Sequence, residues 1–257
     1  MTPFLLLAIA QAANPGALVT DRPDQTESTN TVPVGFVQLE AGWTLDHELD
    51  GGSTSRTHTI PGMLARIGLT SRLEGRIGFA GFQSTRTEGL GTTTSGLGDM
   101  DLGFKYRMLD GSGATPTMSL IGAVSVPTGD EGLSSERLDP AVLLVFAHDL
   151  SERMALGYNV GSTWSSVDDG TGGRTALMDL IYTLSFGFSL SDRLGAFAES
   201  FGTIAVSDNR EHTHALDGGF TYQLSNRFQL DLSAGVGLNA AASDWFVGAG
   251  VSVRLPR

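Results

Sequence analysis

The chain has 257 residues, a formal net charge of −12, 34 glycines and no cysteine. Without cysteine there is no disulfide scaffold, thiolate metal site or cysteine nucleophile. Basic side chains number 16 against 28 acidic ones, with Lys105 the single lysine, so the cationic footprint of a nucleic-acid binder is missing and nucleic acid is excluded as a partner.

An apolar stretch from Pro3 to Ala10 precedes the small residues Ala12 and Ala13. This reads as a secretory signal peptide over residues 1–13, although it lacks the usual basic residues at its start. The stretch is too short for a transmembrane helix, and no window of about 18 to 20 apolar residues follows it. The protein is therefore either soluble or crosses a membrane as strands. Residues 14–34 are rich in Asp, Thr, Pro and Asn. They form either a plug inside whatever follows, with Arg22 and Asp24 as the points of order, or a free periplasmic tail.

From Phe36 onward the hydropathy alternates with a period of two. Met178, Leu180, Tyr182, Leu184, Phe186 and Phe188 share one face, opposite Asp179, Thr183, Ser185 and Gly187. Phe228, Leu230, Leu232, Ala234 and Val236 repeat the pattern against Gln229, Asp231, Ser233 and Gly235. Twelve such segments are expected, near 36–46, 58–69, 72–82, 98–108, 115–126, 141–149, 153–164, 176–189, 193–203, 213–224, 227–238 and 245–255.

Four connections repeat one another: Leu69-Thr70-Ser71-Arg72, Leu150-Ser151-Glu152-Arg153, Leu190-Ser191-Asp192-Arg193 and Leu224-Ser225-Asn226-Arg227. All are tight turns by composition and all follow even-numbered strands, whereas connections after odd strands are longer and more polar. An even strand number with short turns at one end and long loops at the other predicts a twelve-stranded antiparallel outer-membrane β-barrel over residues 35–257. The tryptophans agree. Trp43, Trp164 and Trp245 fall on the apolar face at the long-loop end, and Tyr106 and Tyr222 on the same face near the short turns, as two aromatic girdles require. A soluble sandwich also alternates, but it demands neither sided turns nor sided tryptophans.

If the apolar face meets lipid, the intervening residues line the lumen. A basic residue on a lipid face at mid-depth costs roughly 2 to 4 kcal/mol, so the parity of the charges identifies the wet side. Gln38, Glu40, Arg66, Arg72, Glu74, Arg76, Asp99, Asp101, Lys105 and Arg107 come from the first four strands, and Glu199, Asp217 and Asp231 from the far side. These are the candidate lumen and constriction residues. They serve either as a salt-bridge network that fills and rigidifies the barrel or as a filter for solutes. Twelve strands leave a narrow pore or a ligand cavity, between the filled eight-stranded barrels and the open sixteen-stranded ones.

The segments Thr20-Asp21-Arg22-Pro23-Asp24-Gln25-Thr26-Glu27-Ser28 and Val32-Pro33-Val34-Gly35-Phe36-Val37-Gln38-Leu39-Glu40 resemble the start of an outer-membrane family, the Putative MetA-pathway of phenol degradation family. Gly96-Leu97-Gly98-Asp99, Gly103-Phe104-Lys105-Tyr106, Val126-Pro127-Thr128-Gly129, Leu216-Asp217-Gly218-Gly219 and Gly235-Val236-Gly237-Leu238 continue the resemblance along nearly the whole chain. It implies a barrel that passes hydrophobic or aromatic small molecules, with no catalytic residue to carry over. The ending Val253-Arg254-Leu255-Pro256-Arg257 departs from the terminal aromatic residue of many such barrels.

No catalytic constellation stands out. The G-x-S-x-G, H-E-x-x-H, Walker A and dinucleotide patterns are missing, so neither an enzyme nor a cofactor is expected. His212 and His214 share a strand face, but H-x-H without a third ligand is no zinc site. A lipid hydrolase at the rim would need Ser and His within hydrogen-bond reach at one end. Acidic loop residues such as Asp130, Glu131, Asp168 and Asp169 are solvated charges, or share divalent cations with lipopolysaccharide. The reading is a passive outer-membrane channel, with small solutes, membrane lipid, lipopolysaccharide and the barrel-assembly machinery as partners. The alternative is a structural or adhesive barrel with a filled lumen.

Overall fold

The computed structural model describes residues 16–89, 91–207 and 210–257; the expected signal peptide lies outside them. Fourteen strand segments run in chain order: β1 (Phe36–Asp50), β2 (Ser53–Gly68), β3 (Leu73–Phe79), β4 (Phe82–Glu88), β5 (Thr92–Leu97), β6 (Met100–Leu109), β7 (Thr117–Val126), β8 (Asp139–Ser151), β9 (Met154–Asp168), β10 (Arg174–Ser189), β11 (Leu194–Ala205), β12 (Thr213–Ser225), β13 (Phe228–Gly237) and β14 (Trp245–Pro256). Every pairing is antiparallel, and β1 pairs with both β2 and β14, which closes the sheet. β3 and β4 are two halves of one strand, since both pair with β2, and β5 and β6 are the halves of the next. The result is a closed twelve-stranded barrel without a free edge at its waist.

The first hairpins are longer than expected. β1 runs to Asp50, β2 begins at Ser53, and β4 with β5 carries residues 82–97, which the hydropathy pattern leaves as loop. These extensions pair Ser55 with Thr87, Thr57 with Thr85 and Arg56 with Glu88. Such polar strands have water on both faces, so they need no apolar alternation and carry no period-two signal. The half-strands meet at Ala80-Gly81 and Gly98-Asp99, bridged by bonds from the Ala80 amide to the Asp99 carbonyl (3.0 Å) and from the Gly98 amide to the Gly81 carbonyl (2.8 Å). Gly81 has φ +89°, and a Cβ there would fall 2.6 Å from the Pro61 carbonyl oxygen, so the break requires glycine.

Burial is inverted relative to a soluble protein. Leu184, Phe186, Phe220, Leu230 and Leu232 are exposed on the outer surface, while Gln38, Glu40, Arg66, Glu74 and Lys105 are fully buried inside. Tyr106, Tyr222 and Trp245 are exposed on the outer face as well. Trp43 donates from Nε1 to His58 at 3.2 Å, and Trp245 stacks on His47 at 4.8 Å between ring centroids. The repeated turns share one mechanism: the Thr70, Ser151, Ser191 or Ser225 hydroxyl accepts the amide of the arginine two residues on, at 3.2 to 3.3 Å.

Candidate functional site

The described N-terminal residues 16–35 lie inside the barrel. An extended polar segment brings backbone groups that need partners, and the inward side chains of the strands supply them. Glu40 accepts the amides of Asp21 (2.9 Å) and Arg22 (3.0 Å), Glu74 that of Val32 (2.8 Å), and Glu199 that of Gln25 (2.7 Å). In the other direction Gln38 donates to the Val19 carbonyl (2.8 Å), Arg66 to that of Asn30 (2.7 Å), Ser119 to that of Thr29 (2.8 Å) and Gln223 to that of Leu18 (3.0 Å). Strands from around the barrel thus grip one chain.

Asp21 is the hub. Its carboxylate accepts from Arg76 Nη1 (2.7 Å) and Lys105 Nζ (2.8 Å) and lies 3.2 Å from Arg66 Nη1. Arg66 also meets Glu40 and Glu74, each at 2.9 Å, and Arg76 Nη2 donates to both Glu27 oxygens at 2.7 and 2.9 Å. Burial alone would raise the Asp21 pKa, but Arg66, Lys105 and Arg76 outweigh it and hold the carboxyl well below its ordinary value. Glu27 is pushed up to about 7, first by burial and then by Asp21.

The opposite wall is acidic. Arg22 pairs with Asp231 at 3.2 Å, Thr26 donates to Glu199 and lies 2.7 Å from the Thr183 hydroxyl, and Ser185 reaches Asp24 at 3.4 Å. Burial, then the neighbouring Glu199, raises the Asp24 pKa well above its ordinary value. Asp217 is buried, pairs across strands with Glu199 and shares a hydrogen bond with its carboxyl group.

The sequence-selected residues divide accordingly. Gln38, Glu40, Arg66, Glu74, Arg76 and Lys105 form one network, and Glu199, Asp217 and Asp231 face it across the lumen. Asp101 lines a cavity of about 380 Å³ with Glu27 and Arg76. Asp99 sits at the break between β5 and β6 and accepts the amides of Thr128 (3.0 Å), Gly129 (2.8 Å) and Ser135 (2.9 Å). It pins the loop that follows β7. Those amides outweigh burial and lower its pKa. Arg107 stands at the short-turn mouth, 2.7 Å from Asp110 and 3.3 Å from the Asn30 side chain, and Arg72 reaches Asp110 at 2.6 Å.

Asp21 and Glu27 are absent from the residues selected by alternation, since they precede the first strand. A signal existed: among the residues selected from the first four expected strands, Arg66, Arg72, Arg76, Lys105 and Arg107 outnumber Glu40, Glu74, Asp99 and Asp101, and buried cations need partners from somewhere. Among the described residues the histidines meet groups other than a serine hydroxyl: His47 lies 3.6 Å from Asp244, His58 accepts from Trp43 (3.2 Å), His148 meets Tyr158 (3.3 Å), His214 meets Tyr182 (2.8 Å) and His212 accepts the Ala205 amide (3.2 Å).

Around the segment the lumen retains space. Cavities of about 370 and 460 Å³ open toward the short turns, and one of about 430 Å³ lies beneath the long loops. The profile of the Putative MetA-pathway of phenol degradation family matches residues 20–255, from the gripped segment to the last strand. The chain belongs to this family. Among solved structures it resembles the COG4313 outer membrane channel from Pseudomonas putida, at 17% identity and TM-score 0.71, covering 88% of this chain and 98% of that one. The translocator domain of the autotransporter NalP from Neisseria meningitidis follows at 9% identity and TM-score 0.58, covering 86% and 89%. The NanC porin matches at 9% and 0.53, covering 85% and 100%. No curated protein matches the chain in sequence. At these identities the likeness shows the fold, that of outer-membrane barrels.

Proposed function

We propose that this family member is an outer-membrane channel for small hydrophobic or aromatic solutes, which pass by diffusion through a narrow charged lumen that residues 16–34 partly fill. The observation that carries this reading is the gripped segment itself. Its hold is hydrogen bonds and ion pairs centred on Asp21, with cavities left on both sides of it. A barrel filled only for rigidity needs no such cavities, whereas a channel needs space and a removable obstruction. Arg76 and Lys105 would hold the segment in place, and Arg107 would flank its exit at the short-turn mouth. The lipid-facing girdles suit a bacterial outer membrane, with lipopolysaccharide beside the acidic long loops. The family description and the channel likeness support the solute class and the role.

The test must respect that a phospholipid bilayer passes hydrophobic solutes unaided. Vesicles with a lipopolysaccharide outer leaflet, with and without the protein, are exposed to a fluorescent aromatic solute and its entry is timed. Faster entry with the protein, slowed when the segment is cross-linked to the barrel wall, is the expected result. Equal entry in all three preparations would reject the channel reading.

A further inference from the structure

The cavity beneath the long loops differs in kind from the rest of the lumen. It is lined by Phe201, Phe246, Ala215, Ala242, Thr44 and Asp46, and Gln25 of the inserted segment also borders it. The two rings meet edge to face at 6.0 Å between centroids. Cross-strand register places Glu199, Asp217, Gly235, Phe246 and Asp46 in one row around the wall, each paired with the next. Glycine at 235 makes this row possible. A Cβ there would lie 2.2 Å from the Phe246 ring and 2.7 Å from Asp217 Cβ, so the ring and the carboxylate share the space above one glycine.

The charge of this row is one-sided. Asp217 is 8% exposed and shares a hydrogen bond with the neighbouring Glu199 carboxyl, Asp46 stands at the cavity wall, and Arg22, the cation on this side of the inserted segment, is committed to Asp231. Two acidic groups held together in a buried place, with no cation between them, are costly to ionise, and a ligand that brings a positive charge recovers part of that cost. Apolar rings beside such a carboxylate complement a molecule with an aromatic body and a positive end. At about 430 Å³ the space falls in the range of small-molecule pockets.

We infer that this cavity is a binding site for aryl-alkyl ammonium compounds, the ring lying against Phe201 and Phe246 and the ammonium donating to Asp46 and, through a small shift of Phe246 or Gln25, to Asp217. The inference deepens the channel reading, on which it rests, by naming a solute class that the outer vestibule selects.

The folded full chain in detergent micelles is titrated calorimetrically, at constant sodium chloride, with phenethylammonium, phenethyl alcohol and phenylacetate. Phenethylammonium binds saturably, the alcohol about tenfold more weakly, and phenylacetate not at all. Asp46→Asn and Asp217→Asn each weaken the ammonium about tenfold and leave the alcohol unchanged, while Phe246→Leu weakens both. Heat-modifiable gel mobility confirms that each variant is folded, and Asp46→Asn, at the open cavity wall, serves if Asp217→Asn does not fold. Equal binding of the three probes, absence of binding, or an ammonium preference untouched by both Asn variants overturns the assignment. Vesicle entry of neutral aromatic solutes separates the two readings: entry without ammonium binding rejects this site alone, and ammonium binding without entry rejects the channel.

Discussion

Arg76 and Asp21 meet at 2.7 Å inside the barrel, one from β3 and the other from the segment that precedes β1. The pair joins wall to insert, and both partners are buried. Without Arg76 the Asp21 carboxylate keeps Arg66 and Lys105, so the loss is that of the charged hydrogen bonds Arg76 makes to Asp21 and Glu27, each worth about 1.5 to 3 kcal/mol. Arg76→Ala therefore raises the undocked population of residues 16–34 at least about tenfold. Cleavage after Glu27 by a glutamate-specific protease reads this out, faster in the variant while the barrel stays intact. An unchanged cleavage rate would remove Arg76 from the docking network.

Docking can also be disturbed without touching a charge. Gly68 faces the lumen under the segment, and a Cβ there would fall 2.2 Å from the Pro33 carbonyl oxygen and 2.5 Å from that of Val32. Both obstacles are backbone, so the segment itself must move. Gly68→Ala costs docking about 1 to 3 kcal/mol. The same protease assay detects it, and a variant as resistant as the wild type would show that residues 32–33 do not seat there.

The pH dependence of docking has two limbs of opposite sign. Asp21 titrates below its ordinary value when docked, so its contribution is complete above about pH 4 and is lost as the pH falls further. Glu27 is raised from 4.5 to about 7, and Asp24 is also raised, so both bind protons more tightly when docked. Their effect is to tighten docking as the pH falls from about 7 toward 4.5. Amide hydrogen exchange of residues 16–35, corrected for intrinsic rates, should show protection greatest in mildly acid solution and reduced on either side. A monotonic profile would contradict the assigned environments.

Lipid exposure gives a depth-dependent expectation. Leu232, 61% exposed and midway along β13, costs about 2 to 4 kcal/mol when replaced by arginine, whereas Leu255→Arg near the end of β14 costs at most about 1 kcal/mol. Urea titration of folding into vesicles measures both. Equal costs would mean that the outer face does not meet a bilayer.

Much of this architecture is legible in the sequence because lipid enforces it. The alternation around Leu184 and Leu230, the repeated turns from leucine through Thr or Ser to arginine and the sided tryptophans each follow from a bilayer on one face and water on the other, and they return strand number and parity. The same logic fails outside the membrane. The β4–β5 extension has no apolar face, and alternation gives no hint that Asp99 holds the loop amides of Thr128, Gly129 and Ser135. Asp21 is silent for a different reason. Its role depends on contacts with Arg66, Arg76 and Lys105 far along the chain, which no local pattern encodes.

The central claim is that residues 16–34 occupy the lumen and limit passage. Single-channel conductance of the full chain and of a variant lacking residues 16–34, each folded into planar bilayers, tests it most directly. A severalfold larger unit conductance in the truncated barrel is the predicted result. Identical conductance in the two proteins would contradict the account.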